Sequence, residues 1–386
     1  MTELTLIATA PMGLEAVVAW ELRQLGYETQ TENGRVTFRG DELAICRANL
    51  WLRTADRVLL RMGQFPATTF EELFQGTRAL PWDEWIPADG YFHINGRSHQ
   101  SQLSSVPAVQ RVVEKAIVER LKQRYHLEWF PKSGARYVVE VALNKDVATL
   151  TLDTTGPGLH KRGYRKLAAT APIKETLAAA MILLSRWHPD RPLLDPFCGS
   201  GTIPLEAALI GRNIAPGLHR NFDAEHWQRV GARLWQQARE EARDLADFNR
   251  KLEIVGSDID PDVLELARYH ARAAGLADAV TFRQQDVGDL RVDRPYGYLI
   301  TNPPYGQRLG EQEAVEALYR KLGRVVRRLP GWSVFVITPH RGFERLFGRP
   351  ADRRRKLYNG RIECHLYQYY GPYHGRPVPE AELARG

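Results

Sequence analysis

Cysteine is scarce in this chain of 386 residues: Cys46, Cys198 and Cys364 lie far apart, their number is odd, and no Cys-x-x-Cys pair occurs. That excludes a disulfide framework and a paired-thiol zinc site, and no metal is expected. A reducing, cytoplasmic setting follows. No apolar run reaches the roughly eighteen residues of a membrane helix, so no membrane partner is expected. The first residues lack the basic start and long apolar block of a secretory signal and carry Glu3 and Glu15. Internal repeats and low-complexity tracts are missing as well. Charge is present in excess of one sign: 53 Lys and Arg against 46 Asp and Glu give a net +7, which suits a polyanionic partner without requiring one. A monomer is the expected state.

The remaining composition is that of a globular protein long enough for two or three domains. Residues 1–155 read as mixed α+β. Leu14, Val17, Val18, Leu22 and Leu25 recur at helical spacing before Gly26. Asn33-Gly34 sits between two alternating runs and signals a hairpin. Val109, Val112, Val113, Ala116, Ile117 and Leu121 share the face of a long helix with Arg and Lys opposite, and 136–155 reads as a second hairpin. Trp82, Trp85, Trp129 and Trp227 are expected in the core or at its rim. After a polar, basic connection over 156–175, helix and strand alternate from about 170: helices at 172–186, 201–211, 224–248, 261–274 and 312–328, with short apolar strands between them. That alternation argues an α/β fold with a doubly wound sheet. A terminal strand pair surrounds Asn359-Gly360, and the last dozen residues read as a loose tail.

The chemistry gathers in the second part. In "LLDPFCGSGTIPLEAAL" (193–209) a strand ends at Asp195 and a turn through Gly199, Ser200 and Gly201 opens a helix. Glycines let the backbone approach a ligand, and a helix start offers free N–H groups. The dinucleotide fingerprint is absent, because Pro204 stands where its third Gly belongs. The string Asp-Pro-x-Cys-Gly-Ser-Gly-Thr instead resembles the cofactor loop of class I S-adenosylmethionine-dependent methyltransferases, in the branch that acts on exocyclic amines. The resemblance implies cofactor binding through Asp195, Phe197, Cys198, Gly199, Ser200, Gly201 and Thr202, with Cys198 as a small packing residue rather than a nucleophile. In "IVGSDIDPDVLELA" a strand ends at Asp258. A carboxylate there can accept both ribose hydroxyls, with Ile259 beside it, while Asp260-Pro261 starts a helix as N-cap and N1. Asp258 lies 57 residues after Gly201, and an insertion over 224–248 accounts for the distance. Asp286, after the next strand, can bond the adenine amino group, with Val287 giving its backbone N–H. Pro172 and Thr176, in "ATAPIKETLAAA", resemble the segment that closes over the methionine end of the cofactor.

The sharpest motif is "ITNPPYGQRL" (300–309). Two prolines fix two φ angles, remove two donors and hold Asn302 extended. At the carboxyl end of a strand in a doubly wound sheet this corner faces ligand. The Asn302 side-chain carbonyl and the Pro303 backbone carbonyl can accept both hydrogens of an exocyclic amine, whose lone pair is otherwise delocalised into the base. Pro304 stiffens the corner, and Tyr305 offers a stacking face for an extruded base. The basic-aromatic run Lys161, Arg162, Tyr164, Arg165 and Lys166 is the candidate RNA contact, with Arg353–Lys356 and Arg324, Arg327 and Arg328 adding charge.

These clusters, together with "GLEAVVAWEL", "LHKRGYRKLAATAPIKETLAAA", "APGLHR" and "LYNG", give a chain that resembles, over nearly its whole length, bacterial THUMP-domain 23S rRNA guanine-N2 methyltransferases of the RlmL type. That is the N-terminal half of the fused RlmK/RlmL protein. The resemblance implies a ferredoxin-like segment plus a THUMP RNA-binding domain (about 44–155) within 1–155, and a Rossmann-like class I methyltransferase domain over 156–386. It implies methyl transfer from S-adenosylmethionine to the exocyclic N2 amine of a guanine in 23S rRNA, naked or in an early assembly particle. The 7-methylguanine activity of the fused protein's second half is then expected to be missing. Three other readings stand beside it: guanine-N2 methylation of tRNA, adenine-N6 methylation, and a non-catalytic RNA-binding or assembly factor.

Overall fold

The computed structural model describes residues 3–165, 173–306 and 311–376. Two compact units emerge. The first comprises Met1–Ala10, Val18–Leu159 and Gly217–Asp244; the second comprises Pro11–Val17, His160–Pro216 and Leu245–Gly386.

The first unit begins with β1 (Leu4–Thr9), α1 (Glu15–Gln24), β2 (Thr29–Glu32), β3 (Arg35–Gly40), α2 (Glu42–Trp51) and β4 (Arg57–Pro66). It continues with α3 (Phe70–Arg78), β5 (Tyr91–His99), α4 (Val106–Tyr125), β6 (Arg136–Asn144) and β7 (Val147–Asp153). The strands form a seven-stranded sheet in the order β2-β3-β1-β4-β7-β6-β5. Asn33-Gly34 makes the tight β2–β3 turn, with Gly34 at φ +75°, where a side chain would be strained. β5 and β6 run parallel, because α4 crosses between them; a parallel pair cannot be closed by a short turn.

The second unit contains α5 (Glu175–Ser185), β8 (Leu193–Asp195) and α6 (Thr202–Gly211). The chain then contributes α7 (Gly231–Asp244) to the first unit. It resumes the second unit with β9 (Ile254–Asp258), α8 (Pro261–Ala273), β10 (Thr281–Gln284), β11 (Tyr298–Thr301), α9 (Gln312–Val326) and β12 (Ser333–Thr338). α10 (Phe343–Phe347), β13 (Arg353–Asn359) and β14 (Ile362–Tyr369) complete it. The sheet order is β10-β9-β8-β11-β12-β14-β13. β10 through β12 are parallel, and β14 runs antiparallel to both neighbours. The inner strands are apolar runs; every residue of β11 and β12 is buried, as a sheet covered on both faces requires. Chain order reverses between β8 and β11, so their carboxyl ends flank a crevice at the switch point.

The expected helix over 224–248 is broken. A short 3₁₀ turn covers Asp223–His226, residues 228–230 form a further turn, and α7 begins only at Gly231, whose φ is +68°. α7 buries Trp235, Ala238 and Ala242, spaced along one face. Arg47 of α2 grips Glu241 through Nε and Nη2 at 2.7 and 2.8 Å. Trp227 stacks on Tyr137 with centroids 4.8 Å apart. Trp82, Trp85 and Trp227 are buried, whereas Trp129 is 74% exposed and belongs to neither core nor rim.

Candidate active site

After β8 the backbone folds into a compact loop. Cys198 N–H donates to the Ser257 carbonyl at 3.0 Å, and Gly201 N–H to the Cys198 carbonyl at 2.8 Å. Gly201 sits at φ +84°, and a Cβ there would lie 2.9 Å from the Phe282 ring. Conformation and packing therefore both demand glycine. Ser200 and Thr202 are buried at the start of α6. Cys198 is a buried thiol whose pKa is pushed well up by burial, which suits packing and not nucleophilic attack.

Asp195 is 2% exposed. Its Oδ1 accepts from the Thr301 hydroxyl at 2.6 Å and from Phe197 N–H at 3.2 Å. Burial, with a smaller contribution from the Asp258 charge, pushes its pKa up to about 7 against the hydrogen bonds.

Asp258 ends β9. One oxygen accepts from Gly199 N–H at 3.0 Å, the other from Asp260 N–H at 3.1 Å, so the acid is tied to the glycine loop. Ile259 beside it leaves 66% of its surface exposed. Asp260 caps α8 by accepting from Asp262 N–H at 2.9 Å. Asp286 follows β10 and Val287 lines the same cleft. Asp286 accepts from Gly288 N–H at 2.7 Å and from Lys321 Nζ at 3.0 and 3.1 Å. The Gly288 amide and then the Lys321 ammonium hold its carboxyl below the usual range.

The Asn-Pro-Pro-Tyr corner leaves β11 on the cleft side. Asn302, Pro303, Pro304 and Tyr305 all line the cleft with the glycine loop, Asp258 and Asp286. Two anchors hold the corner. Tyr319 Oη bonds the Pro304 carbonyl at 2.9 Å and pairs with Thr338 Oγ1 at 2.8 Å. The Tyr305 hydroxyl donates to Asn302 Oδ1 at 2.5 Å and receives Asn359 Nδ2 at 3.3 Å. Burial raises the Tyr305 phenol's pKa well above its ordinary value, so the hydroxyl keeps its proton.

The basic run is a correction. Arg162 and Tyr164 were expected on the surface against RNA; both are buried, Arg162 at 4% exposure. Glu206 on α6 draws them in: it pairs with the Arg162 guanidinium at 3.3 Å and accepts from the Tyr164 hydroxyl at 3.1 Å. Arg165 is turned inward too, bonding Thr202 Oγ1 and the Ile173 carbonyl and lying 3.4 Å from Glu175. A buried carboxylate needs such partners. Lys161 is exposed. Thr176 is buried within α5, and among the described residues of that segment Ile173 reaches the cleft wall. Pro172 and Lys166 lie outside the described residues.

Sequence reasoning passed over Thr301, Lys321, Asn359 and Ile362. The last two come from the β13–β14 turn, where they face each other in register and line the cleft. Asn359-Gly360 was legible as a hairpin turn and as part of the shared string "LYNG", with no role at the site.

The cleft measures about 640 Å³, within the range of small-molecule sites. A carboxylate at the strand end, an exposed aliphatic side chain beside it and a glycine loop at the start of a helix suit a nucleoside with a charged tail. S-adenosylmethionine therefore fits. Among the described residues no group of His, Cys, Asp or Glu is gathered to hold a metal ion. No described helix is long and apolar enough to cross a membrane.

Residues 162–368 match the family described as RMKL-like, methyltransferase domain; residues 5–59 match the RlmL ferredoxin-like domain, and 67–153 the THUMP domain. The chain is 52% identical over 372 residues to "Putative RNA methyltransferase YpsC" of Bacillus subtilis (strain 168), covering 96% of this chain and 97% of that one. Among solved structures, a "predicted N6-adenine-specific DNA methylase" from Listeria monocytogenes str. 4b F2365 is 51% identical with TM-score 0.93, covering 96% and 97%. SMU.472, described as "a putative methyltransferase complexed with SAH", is 46% identical with TM-score 0.92, covering 98% and 100%.

Fold and cleft thus define a class I methyltransferase whose cofactor is S-adenosylmethionine, preceded by ferredoxin-like and THUMP domains. The chain belongs to the RMKL-like methyltransferase family. The THUMP and methyltransferase domains together indicate an RNA substrate.

Proposed function

We propose that this protein methylates the exocyclic N2 amine of a guanine in 23S rRNA, as naked RNA or an early assembly particle, in a cytoplasmic setting. The observation that carries the chemistry is Asn302 at the carboxyl end of β11, in one cleft with the glycine loop and Asp258. The RlmL ferredoxin-like and THUMP matches support the choice of rRNA guanine.

S-adenosylmethionine supplies an electrophilic methyl group on a sulfonium. The glycine loop, Asp258, Ile259, Asp286 and Val287 would hold it. The chain's own task is to make a poor nucleophile competent. A guanine amine shares its lone pair with the ring. Hydrogen bonds from its two N–H groups to Asn302 Oδ1 and the Pro303 carbonyl favour a pyramidal nitrogen with a directed lone pair. Asn302 Oδ1 already accepts from Tyr305, but an amide oxygen has a second lone pair. Both acceptors sit on a proline-stiffened corner, so the contribution is orientation. The Tyr305 ring lines the cleft as a face for an extruded base.

Adenine-N6 methylation is the second reading, favoured by the description of the Listeria protein as a predicted N6-adenine-specific DNA methylase; the same corner fits that amine. Methyl transfer from labelled S-adenosylmethionine to deproteinised 23S rRNA, 50S subunits and bulk tRNA, followed by digestion to nucleosides, separates these readings. N2-methylguanosine from 23S rRNA is expected. N2-methylguanosine from tRNA alone would overturn the substrate, and methyladenosine would overturn the base. RNA binding without product would point to an assembly factor. Asn302→Ala should lower the rate at least ~100-fold, as for loss of a positioning group, with S-adenosylhomocysteine and RNA still bound.

A further inference from the structure

Three groups meet at the Tyr305 hydroxyl. It donates to Asn302 Oδ1 at 2.5 Å, receives Asn359 Nδ2 at 3.3 Å, and has Cys364 Sγ at 3.7 Å. A phenol owns one proton and two lone pairs, so these partners complete it. The direction of the chain is set at its far end. A carboxamide nitrogen can only donate, and the buried Cys364 thiol keeps its hydrogen. With Asn359 Nδ2 and the Cys364 thiol both donating to the phenol oxygen, the phenol proton points at Asn302 Oδ1. This network fixes which way round the Asn302 carboxamide sits. Its outer end is the turn of the β13–β14 hairpin, opposite Ile362 and on the cleft wall.

We propose that Asn359 and Tyr305 are positioning residues for Asn302: a hydrogen-bond chain from the β13–β14 turn occupies one lone pair of Oδ1 and leaves the other for the substrate's amine. The inference rests on the reading of Asn302 as that acceptor. Without the chain the carboxamide is free to turn over. Its NH₂ would then meet the amine hydrogens donor to donor, and the lone pair of the nucleophile would lose its direction. Binding of cofactor and RNA uses the Tyr305 ring and other groups, not its hydroxyl, so the loss should fall on kcat.

Tyr305→Phe keeps the ring and removes the hydroxyl. Asn359→Asp keeps the shape and removes the donor, and its carboxylate would draw the phenol proton away from Asn302. Each should lower kcat by ~10-fold or more, a modest misplacement of a reacting group. KM for the RNA and the calorimetric Kd for S-adenosylhomocysteine should stay within about twofold. Because both act through one chain, the double variant should be no slower than the slower single. Wild-type kcat in either single variant overturns the inference, as does a double variant whose loss is the product of the two. Asn302→Ala, run beside them, keeps the two levels apart. If it retains full activity, the reading of Asn302 itself fails. If it is inactive while both other variants are unchanged, only the positioning chain fails.

Discussion

Asp195 ends β8 almost without access to water, and its surroundings do not offset that burial. A hydroxyl and an amide donate to it, and Asp258 lies near enough to raise its pKa further. The folded pKa of about 7 stands above the ordinary 3.8, so between those values the native state binds the extra proton. Stability from this residue is therefore full below about pH 4 and is lost as pH rises to about 7. The full difference is about 4 kcal/mol at ~1.4 kcal/mol per pH unit. Asp195→Asn keeps acceptors for Thr301 and Phe197 and removes the titration. Its denaturation midpoint should match wild type near pH 4 and exceed it near pH 8. An equal pH slope in both proteins would show that Asp195 is charged in the fold throughout. Asp286 carries the opposite sign: its lowered pKa gives stability that is present above the ordinary carboxylate pKa and lost as pH falls below it.

At the scale of elements, the Glu206 cluster binds the segment before α5 to α6. Arg162→Ala would leave a fully buried carboxylate without its cation, at a cost of about 3–5 kcal/mol. Chemical denaturation should show that loss, and RNA affinity measured below the transition should not change. Weakened RNA binding at unchanged stability would return Arg162 to the surface role its sequence context suggested. The contrast explains what could be read in advance. Glycine turns, Asn33-Gly34, the Asp260-Pro261 helix start and the Asn-Pro-Pro-Tyr corner are local: neighbouring residues set the backbone and its chemistry, so the doubly wound sheet and the cleft's skeleton were legible. The partners that finish the site are remote in the chain. Lys321 reaches Asp286 across 35 positions, Asn359 reaches Tyr305 across 54, and Glu206 reaches Arg162 across 44. A run of basic residues looks the same whether it faces water or a buried Glu, and only the fold decides. The broken helix at 224–248 failed for a smaller reason: Gly231 in the left-handed region interrupts a pattern that remains amphipathic on both sides.

At the scale of the whole molecule, the 57 positions from Gly201 to Asp258 exceed the usual twenty or so because Gly217–Asp244 folds with the first unit. The segment is part of that unit's core. Trp235 is 3% exposed, stacks on Phe222 with centroids 5.2 Å apart and donates its indole N–H to the Ala224 carbonyl at 3.1 Å. Stability of the first unit therefore depends on chain that lies inside the methyltransferase sequence. Trp235→Ala opens a large cavity there, at a cost of about 3–5 kcal/mol. In the full chain, hydrogen exchange should speed up in α2, β4 and β7, while protection of β8, β9 and β11 and the Kd for S-adenosylhomocysteine stay within about twofold. Cofactor binding needs only the second unit's own strands and loops, so the two readouts should part. Loss of S-adenosylhomocysteine binding with α2 and β4 still protected would show instead that the insertion serves the cofactor cleft.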